Sequence, residues 1–172
     1  MKRTVTRKQH NSRMCFVCGL NNPAGLHAAM YELESGEVVA LFRPAAHHQS
    51  YPGRLHGGIA ATILDEVIGR AIMVATNGAV WGVTVEFTAR YRKPLPVDAD
   101  LQAVGRIVKD SSRFFEGTGE ILLPDGTVAV EGKGRYIRMP IDRITGSYDE
   151  RQDWRVVDLP SDPREIEIGE RG

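Results

Sequence analysis

Asp65 stands eight residues after a His56-Gly57-Gly58 step, within an eighteen-residue run, Ile59 to Thr76, that contains no proline. Ile63, Leu64, Val67 and Ile68 flank it, and a carboxylate among such residues is costly to bury without a partner. On a helix, Glu66 and Arg70 are four apart in the favourable order and satisfy each other. Asp65 has Gly69 at that offset, so it has no local partner, and Gly69 leaves room beside it for a bound molecule. A carboxylate in that position can attack an electrophile directly or take a proton from water. The two glycines fall where loop becomes helix. The first amides of a helix lack intrahelical partners and point outward at the positive end of its dipole. Glycine allows close approach to them. A carbonyl oxygen resting there would be polarised and its developing negative charge stabilised.

Other candidate groups lie apart from this run. Arg90, Arg92 and Lys93 put three cations into four residues. They suit phosphate groups, which arginine grips in bidentate fashion, and equally a solvated strand end. Ser112 and Arg113 form a second polar, basic loop. Cys15 and Cys18, in Cys15-Phe16-Val17-Cys18-Gly19, are the two cysteines of the chain. A structural zinc needs about four ligands, which His10 and His27 would have to complete. A redox motif wants a strand before it and a helix after it, and neither is evident. The plain expectation is two small, partly buried thiols in an N-terminal turn and no metal site.

The positioning elements follow from periodicity. Leu26–Leu33 and Glu37–Phe42 read as strands around a Ser35-Gly36 turn. Pro44–Gly58 is too rich in turn residues for a regular element. Ile59–Thr76 is apolar on nearly every face, the mark of a buried helix, and Asn77-Gly78 stops it. Val83, Val85, Phe87, Ala89 and Tyr91 then alternate with polar residues, as in a two-faced strand. Leu101–Val108, Phe114–Leu123 and Thr127–Met139 are three more strands, with a hairpin turn at Pro124-Asp125-Gly126. The expected class is α+β: an antiparallel sheet wrapped around one long buried helix. It occupies residues 26–139, with a surface arm at 1–25 and a polar tail at 140–172.

Composition narrows the function. The 172 residues carry 22 Lys plus Arg and 22 Asp plus Glu, so no global charge argues for nucleic acid. Hydrophobic residues are 42% and charged residues 26%, ordinary for a soluble domain. No run approaches the ~20 apolar residues of a membrane span. The first 13 residues lack the apolar stretch of a secretory signal, which leaves the cytoplasm as the default location.

The run "YPGRLHGGIAATILDEVIGRA" resembles the helix signature of hotdog-fold thioesterases of the PaaI-like type, closest to the THEM-like acyl-CoA thioesterases. "CFVCGLNNPAGL" and "VTVEFTARYRKPLPV" resemble segments of the same subgroup, so the similarity covers about residues 14 to 139. It implies Asp65 as nucleophile or general base, Gly57 as the amide donor to the thioester oxygen, and His56 as the residue shaping that turn, with Gly58 beside it expected to offer its own amide to the substrate. Relatives place a polar residue shortly before the motif, where Gln49 and Ser50 both lie. They carry Ser or Thr one turn after the carboxylate, where this chain has Gly69. The resemblance further implies an acyl-CoA substrate, no cofactor, and a homodimer or homotetramer with each site built across an interface. Two other functions compete: a hotdog enoyl-CoA hydratase or dehydratase, which needs a histidine base such as His47 or His48, and a non-catalytic acyl-CoA binder.

Overall fold

The computed structural model describes residues 1–146, 149 and 153–169. The strands are β1 (Lys2–Lys8), β2 (Asn11–Ser12), β3 (Ala29–Leu33), β4 (Val38–Phe42), β5 (Trp81–Tyr91), β6 (Leu101–Asp110), β7 (Phe114–Leu122), β8 (Val128–Met139), β9 (Trp154–Arg155) and β10 (Glu165–Glu167). The long helix α1 (Gly57–Thr76) separates β4 from β5, and a short α2 (Ile141–Ile144) follows β8. Eight strands form one antiparallel sheet in the order β10-β1-β3-β4-β6-β7-β8-β5, while β2 and β9 pair separately. None of the described helices is long and apolar enough to cross a membrane.

The helix packs on β4, β5, β6, β7 and β8. Ala60, Ile63, Leu64, Val67, Ile68, Ala71 and Ile72 enter the main core with Val38, Ala40, Phe115, Ile121 and Val130. Close approach depends on glycine at the contact. A Cβ on Gly105 would lie 2.5 Å from the Val67 carbonyl oxygen, a clash between two backbones that no rotamer change can relieve. Val39 and Val104, pointing the other way from their strands, join Tyr31, Leu33, Leu122 and Ile166 in a second apolar cluster on the opposite face. Asn77 ends α1 in the left-handed conformation at φ 50°, a role its short polar side chain tolerates.

Three details differ from the sequence reading. The first is the arm: Lys2–Lys8 is a sheet strand between β3 and β10. Its cations disguise it, because they pair with distant acids. Lys8 Nζ lies 2.7 Å from Asp162 and Arg7 Nη2 lies 2.7 Å from Glu32. The second is the tail, which supplies β9 and β10 and seats Ile166 against the far face of the sheet. The third is the helix, which is not buried all round: Gly58 and Thr62 are exposed, and Asp65 and Gly69 are half-buried. These four fall on one stripe at helical spacing.

The carboxylate on the helix and the amide at its start

The helix begins at Gly57, two residues earlier than its apolar run suggests, with His56 as N-cap. His56 Nδ1 accepts the Gly58 amide at 2.9 Å. The imidazole is then neutral, with its proton on Nε2. The next two amides, of Ile59 and Ala60, both donate to the His56 carbonyl, at 3.0 and 3.1 Å. The Gly57 amide has no acceptor among the described residues. His56 thus orders the turn by taking up Gly58, which corrects the expectation that Gly58 itself would offer an amide to a ligand. The hydroxyl of Tyr91 donates to the Gly57 carbonyl at 2.7 Å and holds the peptide in place.

Asp65 is not left without partners. The Thr84 hydroxyl donates to Oδ1 and Oδ2 at 2.9 and 3.1 Å, and the Tyr136 hydroxyl shares its proton between Oδ1 at 3.2 Å and the Asp65 main-chain oxygen at 3.1 Å. Burial pushes the Asp65 pKa up, and these two hydrogen bonds pull against it. Tyr136 is pushed up in turn, by burial first and then by the charge of Asp65, so it serves as a neutral donor. Glu66, beside it, is tied to Arg70 Nε at 2.7 Å, as the i,i+4 spacing predicts. Gly69 does not hold a space for substrate. A Cβ there would sit 3.2 Å from Tyr136, so the gap is filled by the ring whose hydroxyl reaches Asp65.

Thr84 faces the helix because β5 carries a bulge. The register with β8 shifts between Thr84 and Glu86, and an extra residue inverts the inward parity of a strand. On one side Gly82 abuts Phe115, and on the other Phe87 packs near Ile68 and Leu64. The simple alternation of Val83, Val85 and Phe87 therefore fails, and Val85 is 49% exposed.

Of the basic residues, Arg92 and Lys93 share a depression of about 270 Å³ with Gly57, Leu55, Tyr91 and Leu95. Arg90 does not line it, and Arg92 is paired with Glu131 at 2.8 Å. Ser112 and Arg113 lie elsewhere. Phe114 pairs with Ile137 of β8, whereas Tyr91 pairs with Val130, and seven residues of strand span ~23 Å. Within one chain that loop cannot share a phosphate site with Lys93. Gln49 accepts the Gly53 amide at 3.1 Å and closes its own loop, and Ser50 is exposed next to it. Neither is placed on Asp65. His48 is buried with both ring nitrogens engaged, one accepting the Ala45 amide and the other meeting the Ala24 carbonyl, each at 2.9 Å.

Residues 52–130 match the family model described as Thioesterase superfamily, a span that holds Gly57, Asp65, Thr84, Arg92 and Lys93. A solved thioesterase superfamily protein superposes with a TM-score of 0.67 at 29% identity, covering 73% of this chain and 60% of that one. The fold is the hotdog fold of these thioesterases. Human acyl-coenzyme A thioesterase 13 is 28% identical over 103 residues, 60% of this chain and 72% of the relative. The E. coli PaaI protein shares the fold, with a TM-score of 0.60 at 16% identity over 66% of this chain and 80% of its own. The chain spans less than two thirds of the solved thioesterase superfamily protein it matches.

Proposed function

We propose that this chain hydrolyses acyl-CoA thioesters to the free acid and CoA. The observation that carries the reading is the Asp65 carboxylate, half-buried and held by two hydroxyls on the helix whose first amide is open. In this reading Asp65 attacks the thioester carbonyl, giving an anhydride that water opens, or takes a proton from the attacking water. The Gly57 amide receives the carbonyl oxygen as it becomes an oxyanion. Carboxylate, water and amide suffice, and the reaction draws on no metal or prosthetic group. The homologous acyl-coenzyme A thioesterase names support the substrate class. Incubation with short, long and aromatic acyl-CoAs, with thiol release followed by a trapping reagent, tests it. Many turnovers per chain are expected on at least one substrate, well beyond the chain's own two thiols. Tight binding of acyl-CoA without turnover would leave a binder instead. The hydratase reading loses one of its two candidate bases, because His48 is committed to its loop, and its other candidate, His47, is exposed.

The two halves of the mechanism do not meet in one chain. Gly57 and Asp65 are separated by eight residues of helix, ~12 Å along the axis, and one carbonyl cannot touch both. A second copy laid antiparallel brings its Asp65 to this Gly57. The exposed stripe of α1 and strand β5, at the edge of the sheet among the described residues, are the surfaces for that contact, and an isologous dimer then holds two identical sites.

Arg92 and Lys93 are assigned to the phosphates of CoA. Replacing both with Ala is expected to raise KM about tenfold with a smaller change in kcat, since contacts remote from the thioester stabilise ground and transition states alike. The effect should shrink as salt rises. Steady-state kinetics at two ionic strengths checks this, and an unchanged KM at low salt would move the nucleotide elsewhere.

The pH profile reports on Asp65. Its ionised form is the active one and its pKa is raised, so the acidic limb of kcat/KM should lie above the ordinary carboxylate range. Thr84→Val removes a hydrogen bond that favours the charged form. The limb should then move to still higher pH. A limb that stays in place in this variant would detach the profile from Asp65.

A further inference from the structure

We propose that Cys15 and Cys18 form a reversible oxidation site, a dithiol that a hydroperoxide closes to an intramolecular disulfide. The two sulfurs and a Glu66 carboxylate oxygen all lie within 4.8 Å of one another. Both cysteines are free thiols, Cys15 half-buried and Cys18 buried, so one is reachable and the other is held behind it.

The surroundings favour negative charge on sulfur. Cys18 Sγ accepts from Arg70 Nη2 at 3.0 Å and from the Ser12 amide at 3.3 Å, while Cys15 Sγ accepts from the Val17 amide at 3.3 Å. Arg70 is fixed for this task. It is fully buried, with Nε on Glu66 at 2.7 Å and Nη1 on the His10 carbonyl at 2.9 Å. The loop is rigid where it matters: the Gly19 amide returns to the Cys15 carbonyl at 2.9 Å, and a Cβ on Gly19 would lie 2.2 Å from that oxygen. A hydrogen bond from Cys18 lowers the Cys15 thiol to about 7, and Cys18, which keeps the proton, is pushed up.

These features divide the labour. The Cys15 thiolate attacks the peroxide, breaking its O–O bond, and becomes a sulfenic acid as one oxygen leaves as water. Cys18, deprotonated beside Arg70, then attacks the Cys15 sulfur and expels the second water. Two thiols and one hydroperoxide give one disulfide and, for hydrogen peroxide, two waters. A metal ion suits the place less well. Two sulfurs and one carboxylate fall short of the four ligands usual for structural zinc, and the Arg70 cation already contacts two of the three.

The test uses the reduced full chain, hydrogen peroxide in small excess at neutral pH, and intact mass with free-thiol counting. Both thiols should disappear together with a loss of ~2 Da, and dithiothreitol should restore them. Cys18→Ser should stop at a sulfenic acid that dimedone traps, and Cys15→Ser should be nearly inert. Alkylation by iodoacetamide should titrate with a midpoint near pH 7. At that pH it should run about fivefold faster than an ordinary thiol, the thiolate gain being partly offset by weaker nucleophilicity. Persistence of both thiols, uptake of oxygen on Cys15 with Cys18 intact in the wild type, or one tightly held zinc that blocks both thiols would each overturn the proposal.

Discussion

Asp65→Asn should lower kcat on the best acyl-CoA substrate by at least ~100-fold, the ordinary scale for loss of a general base, while the protein stays folded. The amide keeps the shape of the carboxylate and can still accept from Thr84 and Tyr136. It can neither attack nor take a proton. Stability should move the other way. The pKa of Asp65 is raised in the folded protein, so the folded state binds more protons than the unfolded state between the two pKa values. Stability therefore falls as pH rises through that window and stays lower above it. Asn has no such proton to lose, and the variant should melt at a higher temperature than the wild type at neutral pH, with the difference vanishing below the unfolded carboxylate pKa. Thermal unfolding at pH 7 and pH 3 checks the sign, and single-turnover kinetics checks the rate. Retention of most activity would remove Asp65 from the mechanism. Glu66 would be the next carboxylate to test, although its ion pair with Arg70 at 2.7 Å makes it a poor base.

That carboxylate was visible in the sequence because its signal is local. Helical spacing alone pairs Glu66 with Arg70 and leaves Asp65 over, and the Gly57 step marks the helix start. The partners of Asp65 were not visible, because they arrive from other elements. Thr84 belongs to the polar set of an alternating strand until the bulge at Val85 inverts the parity. An extra residue of this kind leaves no mark in a hydrophobic pattern. Tyr136 comes from β8, 71 residues from Asp65, and only the packing of that strand on α1 brings it near. Glycine at position 69 suggests a space in the sequence, but the Tyr136 ring occupies it, and that ring comes from a distant strand. The sheet after the helix was legible from period and turns. Strand β1 was not, since Lys2, Arg3, Arg7 and Lys8 hide an extended segment whose partners include β10, at the other end of the chain.

A mixture of two inactive variants should regain activity. Asp65→Asn keeps the Gly57 amide, and Gly57→Val keeps the carboxylate. Gly57 does not need a positive φ, and the nearest atom to an added Cβ is on Tyr91 at 3.4 Å. Val can therefore enter the first turn without unfolding it, while crowding the amide to which the proposed mechanism brings the thioester oxygen. Each variant alone has every site spoiled. In a mixed dimer, one site joins the intact Gly57 of the first copy to the intact Asp65 of the second, and the other site carries both lesions. An equal mixture that exchanges subunits freely holds about half mixed dimers, each with one working site of two, so about a quarter of wild-type activity should return. Against parents at ~1% or less, the gain is at least ~25-fold. Unfolding and refolding the two variants together, with each refolded alone as the control, measures it. The ~12 Å between Gly57 and Asp65 along α1 is what makes the result decisive: a site contained in one chain would leave the mixture as inactive as its parents.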